Sequence, residues 1–346
     1  MLKVGIIGCG KITEVRHAPE YAENPDCEIT AFFDVVPVRA QRMAELYGGK
    51  AYDSIESLLA SDVDAVSVCV ANVYHASVTI QALRAGKHVL CEKPMATTSE
   101  DCEAMVQEAK NSGKFLMIGL NQRLAKAHVR AKEILDSGEL GKVIAFQTKF
   151  CHPGPEGWTG RKDSWFFDKR MAQLGAMADL GVHKTDLIHY LTGQSIVKTS
   201  AIIQTLDKKF PDGSPITVDD NAFCIYTLES GAVGTMHVSW TNYGAEDNLT
   251  KLYCTEGVIR MYDDPKYSLI VEKRNGDVVP YELDLLTSNK EQTSGGRTST
   301  GVIDAFVNSV ITNSPPALSG ESAMHAMKVI FASEASALQG ASVNVE

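Results

Sequence analysis

The chain opens on an apolar run that breaks into glycines, Val4-Gly5-Ile6-Ile7-Gly8-Cys9-Gly10-Lys11-Ile12-Thr13, and no other segment constrains the fold as much. A buried strand that turns at Gly8 and Gly10 into a helix gathers backbone N–H groups and a helix N-terminus at one point, where a pyrophosphate can be held. The next apolar run, Glu28-Ile29-Thr30-Ala31-Phe32-Phe33, ends at Asp34. That is roughly 20 residues on, where an acidic side chain can accept hydrogen bonds from an adenosine ribose. Thr13 replaces the third glycine of the usual pattern, so the turn alone is a weak signal. The strand context and the spacing of Asp34 carry the reading.

Across the first third, strands are predicted over 3–8, 28–34, 65–70, 88–91 and 115–120, with helices over 39–47, 54–59, 76–85 and 99–110 between them. This alternation is the mark of a parallel sheet with crossover helices. Ligands of such sheets bind beyond the carboxyl ends of the strands. Gly8 and Gly10, Asp34, Asn72 and His75, Glu92-Lys93-Pro94, and Asn121 with Arg123 follow those ends and are expected to line one crevice.

After Asn121 the pattern changes. A helix over 127–135 precedes strand-like runs separated by Gly/Pro-rich turns at 152–157, 211–215 and 263–265; further helices are read over 181–191, 302–311 and 321–338. Strands grouped after a βα half imply a mostly antiparallel sheet. The predicted fold is therefore α/β plus α+β. Residues 1–121 form a doubly wound parallel-sheet domain for a dinucleotide, and residues 122–346 an open, mostly antiparallel sheet covered by helices, for substrate binding and oligomerisation. Ala232, Gly234, Met236, Val238 and Trp240 alternate onto one face. One helix layer does not account for so much apolar surface, so this sheet is expected to pair between copies in a homodimer or homotetramer.

Length and composition narrow the function. At 346 residues the chain is long for one core, and about 150 residues per domain gives two. The formal charge of −10, with no basic run, argues against a nucleic-acid partner. Eight scattered cysteines without Cys-x-x-Cys point to neither a zinc knuckle nor a disulfide framework. No apolar stretch approaches the ~18 residues of a membrane span, and the glycine-broken N-terminal segment is too short for a signal peptide. A cytoplasmic protein with no membrane partner is expected.

Four segments together carry a family resemblance: the glycine turn, the Asn72…His75 pair, Ala85-Gly86-Lys87-His88-Val89-Leu90-Cys91-Glu92-Lys93-Pro94, and Gly175-Ala176-Met177-Ala178-Asp179-Leu180-Gly181-Val182-His183. In this order and setting the chain resembles the Gfo/Idh/MocA oxidoreductases over almost its whole length. The resemblance implies a Rossmann domain, an open-sheet substrate domain, a nicotinamide cofactor and a small polyhydroxylated substrate, a sugar or cyclitol. It assigns Lys93, Asp179 and His183 to the catalytic set. It places the cofactor contacts at Gly8, Gly10, Lys11, Ile12, Asp34, Asn72, His75, Glu92, Lys93 and Asn121, and implies a cis Lys93–Pro94 peptide. Where the family often carries a run of glycines before the Asp/His helix, this chain has Gln173-Leu174-Gly175, which leaves the loop shape and the substrate fit open.

The chemistry of the residues agrees. Oxidising a secondary alcohol requires a base for the hydroxyl proton and a cation for the developing alkoxide. Lys93, at a strand end before Pro94, supplies the cation. Asp179 and His183, four apart, share a helix face; His183 is the candidate base, because an imidazole titrates near neutrality, and Asp179 orients the substrate or tunes its neighbours. Tyr243 or a bound water is the next candidate base. Trp158, Arg161, Trp165, Phe166 and Phe167 precede that helix. Aromatic planes stack on the C–H faces of a sugar ring while a guanidinium bonds hydroxyls or a carboxylate. Arg123, Arg161, Trp165 and His183 are thus the expected substrate contacts, a hydrophobic plug being the alternative for the aromatics. His75, His183 and His189 lack a compact ligand spacing, so no metal is expected.

NAD is expected rather than NADP: the charge of Asp34 repels a 2′-phosphate, Val35 and Val36 bring no cation, and Arg39 is expected to face solvent. The resulting activity is that of a dehydrogenase or reductase acting on CH–OH groups. Two alternatives share the fold, glycoside cleavage by transient oxidation and a non-catalytic dinucleotide or sugar sensor, although a sensor has no need for a base and a cation.

Overall fold

The computed structural model describes residues 1–286 and 299–346. It divides into two compact units, the first holding residues 1–120 and 299–324 and the second residues 121–286 and 325–346. The expectation that everything after residue 121 belongs to the second unit does not hold for 299–324. Thr300 donates to Glu20 from its N–H and its hydroxyl (3.0 and 3.1 Å), Asn24 donates to Asp304 at 2.7 Å, and the Ile118 N–H reaches the Leu318 carbonyl at 2.9 Å. The apolar face of the helix Val302–Ile311, with Val302, Ile303, Phe306 and Val307 buried, finds its cover there.

In the first unit, β1 (Leu2–Ile7), β2 (Cys27–Phe33), β3 (Lys50–Ala51), β4 (Ala65–Val68), β5 (His88–Cys91) and β6 (Leu116–Ile118) form a sheet in the order β3-β2-β1-β4-β5-β6. Every pairing is parallel. β4 is wholly buried, as a strand covered on both faces must be. The chain runs outward from β1 to one edge and returns through β4 to the other, so the connections after β1 and β4 diverge and open a crevice between them. Gly8 lies at that point with φ 96°, and a Cβ there would stand 2.4 Å from the Cys69 carbonyl oxygen. Only glycine fits. Thr13 is fully buried and donates its hydroxyl to the Gly8 carbonyl at 2.6 Å, which closes the turn without a third glycine.

In the second unit, β7 (Val143–Cys151), β8 (Ile196–Gln204), β9 (Asn221–Leu228), β10 (Val233–Ser239), β11 (Thr250–Cys254), β12 (Gly257–Met261), β13 (Leu269–Lys273), β14 (Val278–Tyr281) and β15 (Val343–Asn344) make one sheet. Its order is β14-β13-β12-β11-β7-β10-β9-β8-β15, antiparallel except where β10 runs parallel to β7. One face is covered by helices. Met236, Val238 and Trp240 are almost wholly buried on it, and a Cβ on Gly234 would strike the Phe146 ring at 2.3 Å. The sequence reading put the self-association surface on these residues, and that is corrected: the helix layer does cover them. The opposite face is the exposed one, with Ile202, Phe223, Ile225, Val233 and Tyr253 each more than a third exposed.

Candidate active site

In the first unit, a turn after β5 carries Lys93. The Lys93–Pro94 peptide is cis. The Lys93 N–H donates to Glu92 Oε2 at 3.1 Å, and Glu92 Oε1 lies 2.9 Å from His17 Nε2. His17 Nδ1 meets the Ser67 hydroxyl at 3.2 Å, and Ser67 meets the Tyr21 hydroxyl at 2.8 Å. Burial opposes charge on both members of the His17–Glu92 pair, yet their neighbours win: His17 lowers the Glu92 carboxyl to about 2, and Cys69 together with Glu92 raises the imidazole well above its usual value. A buried ion pair thus fixes the backbone from which Lys93 projects. His75, expected among the cofactor contacts, instead sets Nδ1 2.7 Å from the Pro94 carbonyl and Nε2 3.1 Å from that of Val70. It ties the Lys93–Pro94 turn to the end of β4.

Asp34 is buried and closes the glycine turn, Oδ2 accepting from the Cys9 N–H at 2.7 Å and Oδ1 from the Val36 N–H at 2.8 Å. A carboxylate has about four acceptor positions, so ribose hydroxyls still find lone pairs there. Arg39 does not simply face solvent: its Nη1 stands 3.7 Å from Asp34 Oδ1. Gly10 has no atom within 4 Å of where a Cβ would sit and needs no positive φ. The fold does not demand glycine at this position, whereas close approach of a pyrophosphate does. The residues present therefore fit a dinucleotide, which the N–H groups of 10–12 and the Asp34 carboxylate would hold.

Within the second unit, a helical segment begins as a π-turn, Met177–Gly181, and continues as the α-helix Val182–Thr192. Such π-turns recur at functional sites. Its start is built by Asp219, whose carboxylate accepts the N–H groups of Gly175 and Met177, both at 2.7 Å, while burial pushes its pKa up to about 6. A Cβ at Gly175 would lie 1.8 Å from the Asp219 carbonyl oxygen, so this one glycine of the expected run is obligatory. Gln173 takes φ 68° without being glycine. Asp179 and His183 are both nearly buried, at 6 % and 7 % exposure. Trp240 Nε1 donates to Asp179 Oδ2 at 3.1 Å, and the Phe150 ring stands 6.2 Å from that of His183.

Around this segment both arginines expected to contact a ligand have acidic partners of their own. Arg123 grips Asp186 with Nε (2.6 Å) and Nη2 and lies over the Tyr190 ring, so its guanidinium anchors the helix rather than a substrate. Arg161 is exposed and faces Asp163 at 3.4 Å. Trp165 stacks on Phe166 at 4.0 Å, and Phe166 and Phe167 both pack on Trp240. Tyr243 donates to Asp207 at 2.5 Å; burial and that carboxylate hold its proton more firmly than usual, which makes it a poor base. Lys184, beside His183, is fully buried, with Nζ 3.4 Å from both the Asn248 carbonyl and the Thr250 hydroxyl and 5.8 Å from the Phe150 ring centre.

Comparison with known proteins places these elements. Residues 2–120 match the Gfo/Idh/MocA description "Oxidoreductase family, NAD-binding Rossmann fold", and residues 128–260 match the family's C-terminal domain. The chain belongs to the Gfo/Idh/MocA oxidoreductase family. It is 34% identical to the D-glucoside 3-dehydrogenase of Escherichia coli, over 69% of this chain and 70% of that protein. It is 25% identical to the myo-inositol 2-dehydrogenase of Thermotoga maritima, over 100% of this chain and 99% of the other. Among solved structures it resembles the aldose-aldose oxidoreductase of Caulobacter crescentus with a TM-score of 0.83 at 26% identity, covering 99% of each chain.

As a Gfo/Idh/MocA protein it carries an NAD-binding Rossmann domain, with Lys93 at the carboxyl end of β5. Sequence reasoning missed His17, Asp219, Trp240 and Lys184. A signal existed for one of them, since a buried indole N–H nearly always requires an acceptor.

Proposed function

We propose that this protein is an NAD-dependent dehydrogenase of a secondary alcohol on a sugar, sugar acid or cyclitol, with Lys93, Asp179 and His183 as its catalytic set. The observation that carries the reading is the segment 175–183. An obligatory glycine and the Asp219 carboxylate shape a π-turn that presents an acid and an imidazole one turn apart. His183 takes the hydroxyl proton, Asp179 orients the hydroxyl, and the Lys93 ammonium stabilises the alkoxide as it forms. The bound nicotinamide supplies the hydride acceptor. Trp165 and Phe166 offer an apolar plane for the C–H face of a ring. The names of the relatives, a glucoside and an inositol dehydrogenase, support the substrate class.

The same reading includes NAD over NADP, a homodimer or homotetramer formed through the exposed sheet face, and a cytoplasmic location. The apolar face with Phe223 and Ile225 supports the second, and eight buried free cysteines support the third. Among the described residues no helix is long and apolar enough to cross a membrane. The test is NAD reduction at 340 nm, a wavelength set by the reduced nicotinamide, over a panel of cyclitols, aldoses, ketoses, sugar acids and glucosides. Saturable reduction with one subset is expected; none across the panel overturns the proposal.

A further inference from the structure

We infer that Trp240 is a positioning residue for the Asp179 carboxylate, and that it ties the placement of that carboxylate to the aromatic segment before the Asp/His helix. The inference rests on the assignment of Asp179 to the catalytic set. The indole of Trp240 is fully buried at the end of β10, with Nε1 donating to Asp179 Oδ2 at 3.1 Å. Its backbone is pinned as well, the Trp240 N–H reaching the Asp220 carbonyl at 2.8 Å, next to the Asp219 that shapes the π-turn bearing Asp179. The strand end and the turn are therefore held to one another at two points.

The same indole also receives the aromatic segment. Phe166 meets it edge-on at 6.4 Å and Phe167 lies 6.0 Å away, while Trp158 and Trp165 pack on Phe166 at 5.7 and 4.0 Å. Packing alone does not explain this arrangement. A buried N–H is satisfied by any backbone carbonyl, whereas a carboxylate is costly to bury and is normally kept there for its chemistry. The charge-assisted bond holds Asp179 in one rotamer, and a group that orients a reacting hydroxyl must be held to about half an ångström. A ring pressing on Phe166 moves the indole and, through its N–H, the carboxylate.

The chain has three tryptophans, all in this cluster, so the indole 15N–1H spectrum of the full-length protein reports on it directly. The signal missing from Trp240→Phe should move more in Asp179→Asn than those of Trp158 and Trp165, and its exchange with water should quicken. A signal indifferent to Asp179→Asn overturns the inference. With NAD and methyl β-D-glucoside, levoglucosan or myo-inositol, Trp240→Phe should lower kcat about tenfold with KM within about twofold. In the Asp179→Asn background it should cost nothing more. Additive losses, or a normal kcat in Trp240→Phe, sink the positioning role. Normal turnover in Asp179→Asn with the spectral shift intact removes instead the catalytic assignment of Asp179. Should none of the three sugars be oxidised, the indole spectrum decides.

Discussion

Glu92 accepts from His17 with one carboxylate oxygen and from the backbone N–H of Lys93 with the other, at 2.9 and 3.1 Å, so a buried ion pair sets the starting point of the Lys93 side chain. The two pKa shifts define when that pair stabilises the fold. Glu92 is lowered from 4.5 to about 2, so its contribution is complete above pH 4.5 and lost as pH falls toward 2. His17 is raised above 6.5, so its contribution is complete below pH 6.5 and declines as pH climbs to the folded value. The stability deficit of His17→Asn, from urea midpoints, should peak between these limits. A deficit constant from acid to alkaline pH would show that the pair is not ionised.

Lys184 works in the other direction. Burial lowers its pKa from 10.5 to about 7, against the pull of Glu246 and Asp247, so the folded chain carries a penalty below pH 7 that is relieved as pH rises toward 10.5. Lys184→Met should therefore stabilise the protein at pH 6 by on the order of 2–4 kcal/mol. The gain should shrink by pH 9. Equal effects at both pH values would mean that the ammonium is better solvated than its surroundings imply.

Catalysis should separate Lys93 and His183 from Asp179. Lys93→Met or His183→Ala should cut kcat by roughly 10²–10⁴-fold while NAD affinity, measured calorimetrically, stays near normal. Asp179→Asn should cost less, or raise KM more. The acid limb of kcat/KM for oxidation should disappear in His183→Ala, because a protonated imidazole accepts nothing. Near-normal turnover in either of the first two variants would send the search for the base elsewhere.

Cofactor choice should follow Asp34 and its neighbour. In kcat/KM, NAD should be preferred over NADP, since a carboxylate at the ribose position repels a 2′-phosphate. Arg39, 3.7 Å from Asp34, tempers that repulsion. Asp34→Ala should accordingly narrow the preference by freeing the guanidinium for the phosphate, and an unchanged ratio would place the discrimination at other residues.

The exposed sheet face should hold copies together. Light scattering at micromolar protein should give a dimer or tetramer, and Phe223→Asp with Ile225→Asp should yield a smaller species of unchanged circular dichroism. A wild-type monomer contradicts the assembly.

The sequence by itself determined whatever neighbouring residues encode. The period of apolar runs placed five of the six strands of the first unit to within about two residues, missing only the two-residue β3, and the glycine pattern marked the strand-to-helix turn at Gly8. Tertiary structure decided which face of β10 is buried, because alternation marks two faces without saying which one a helix layer will cover. It also decided the partners of the charged groups. Asp186 takes Arg123 from 63 residues away, and Trp240 reaches Asp179 across 61, pairings set by strand register and helix packing that no local pattern records. Residue types told where cations, acids and rings were available; the low dielectric of the packed interior determined which of them had to pair with each other.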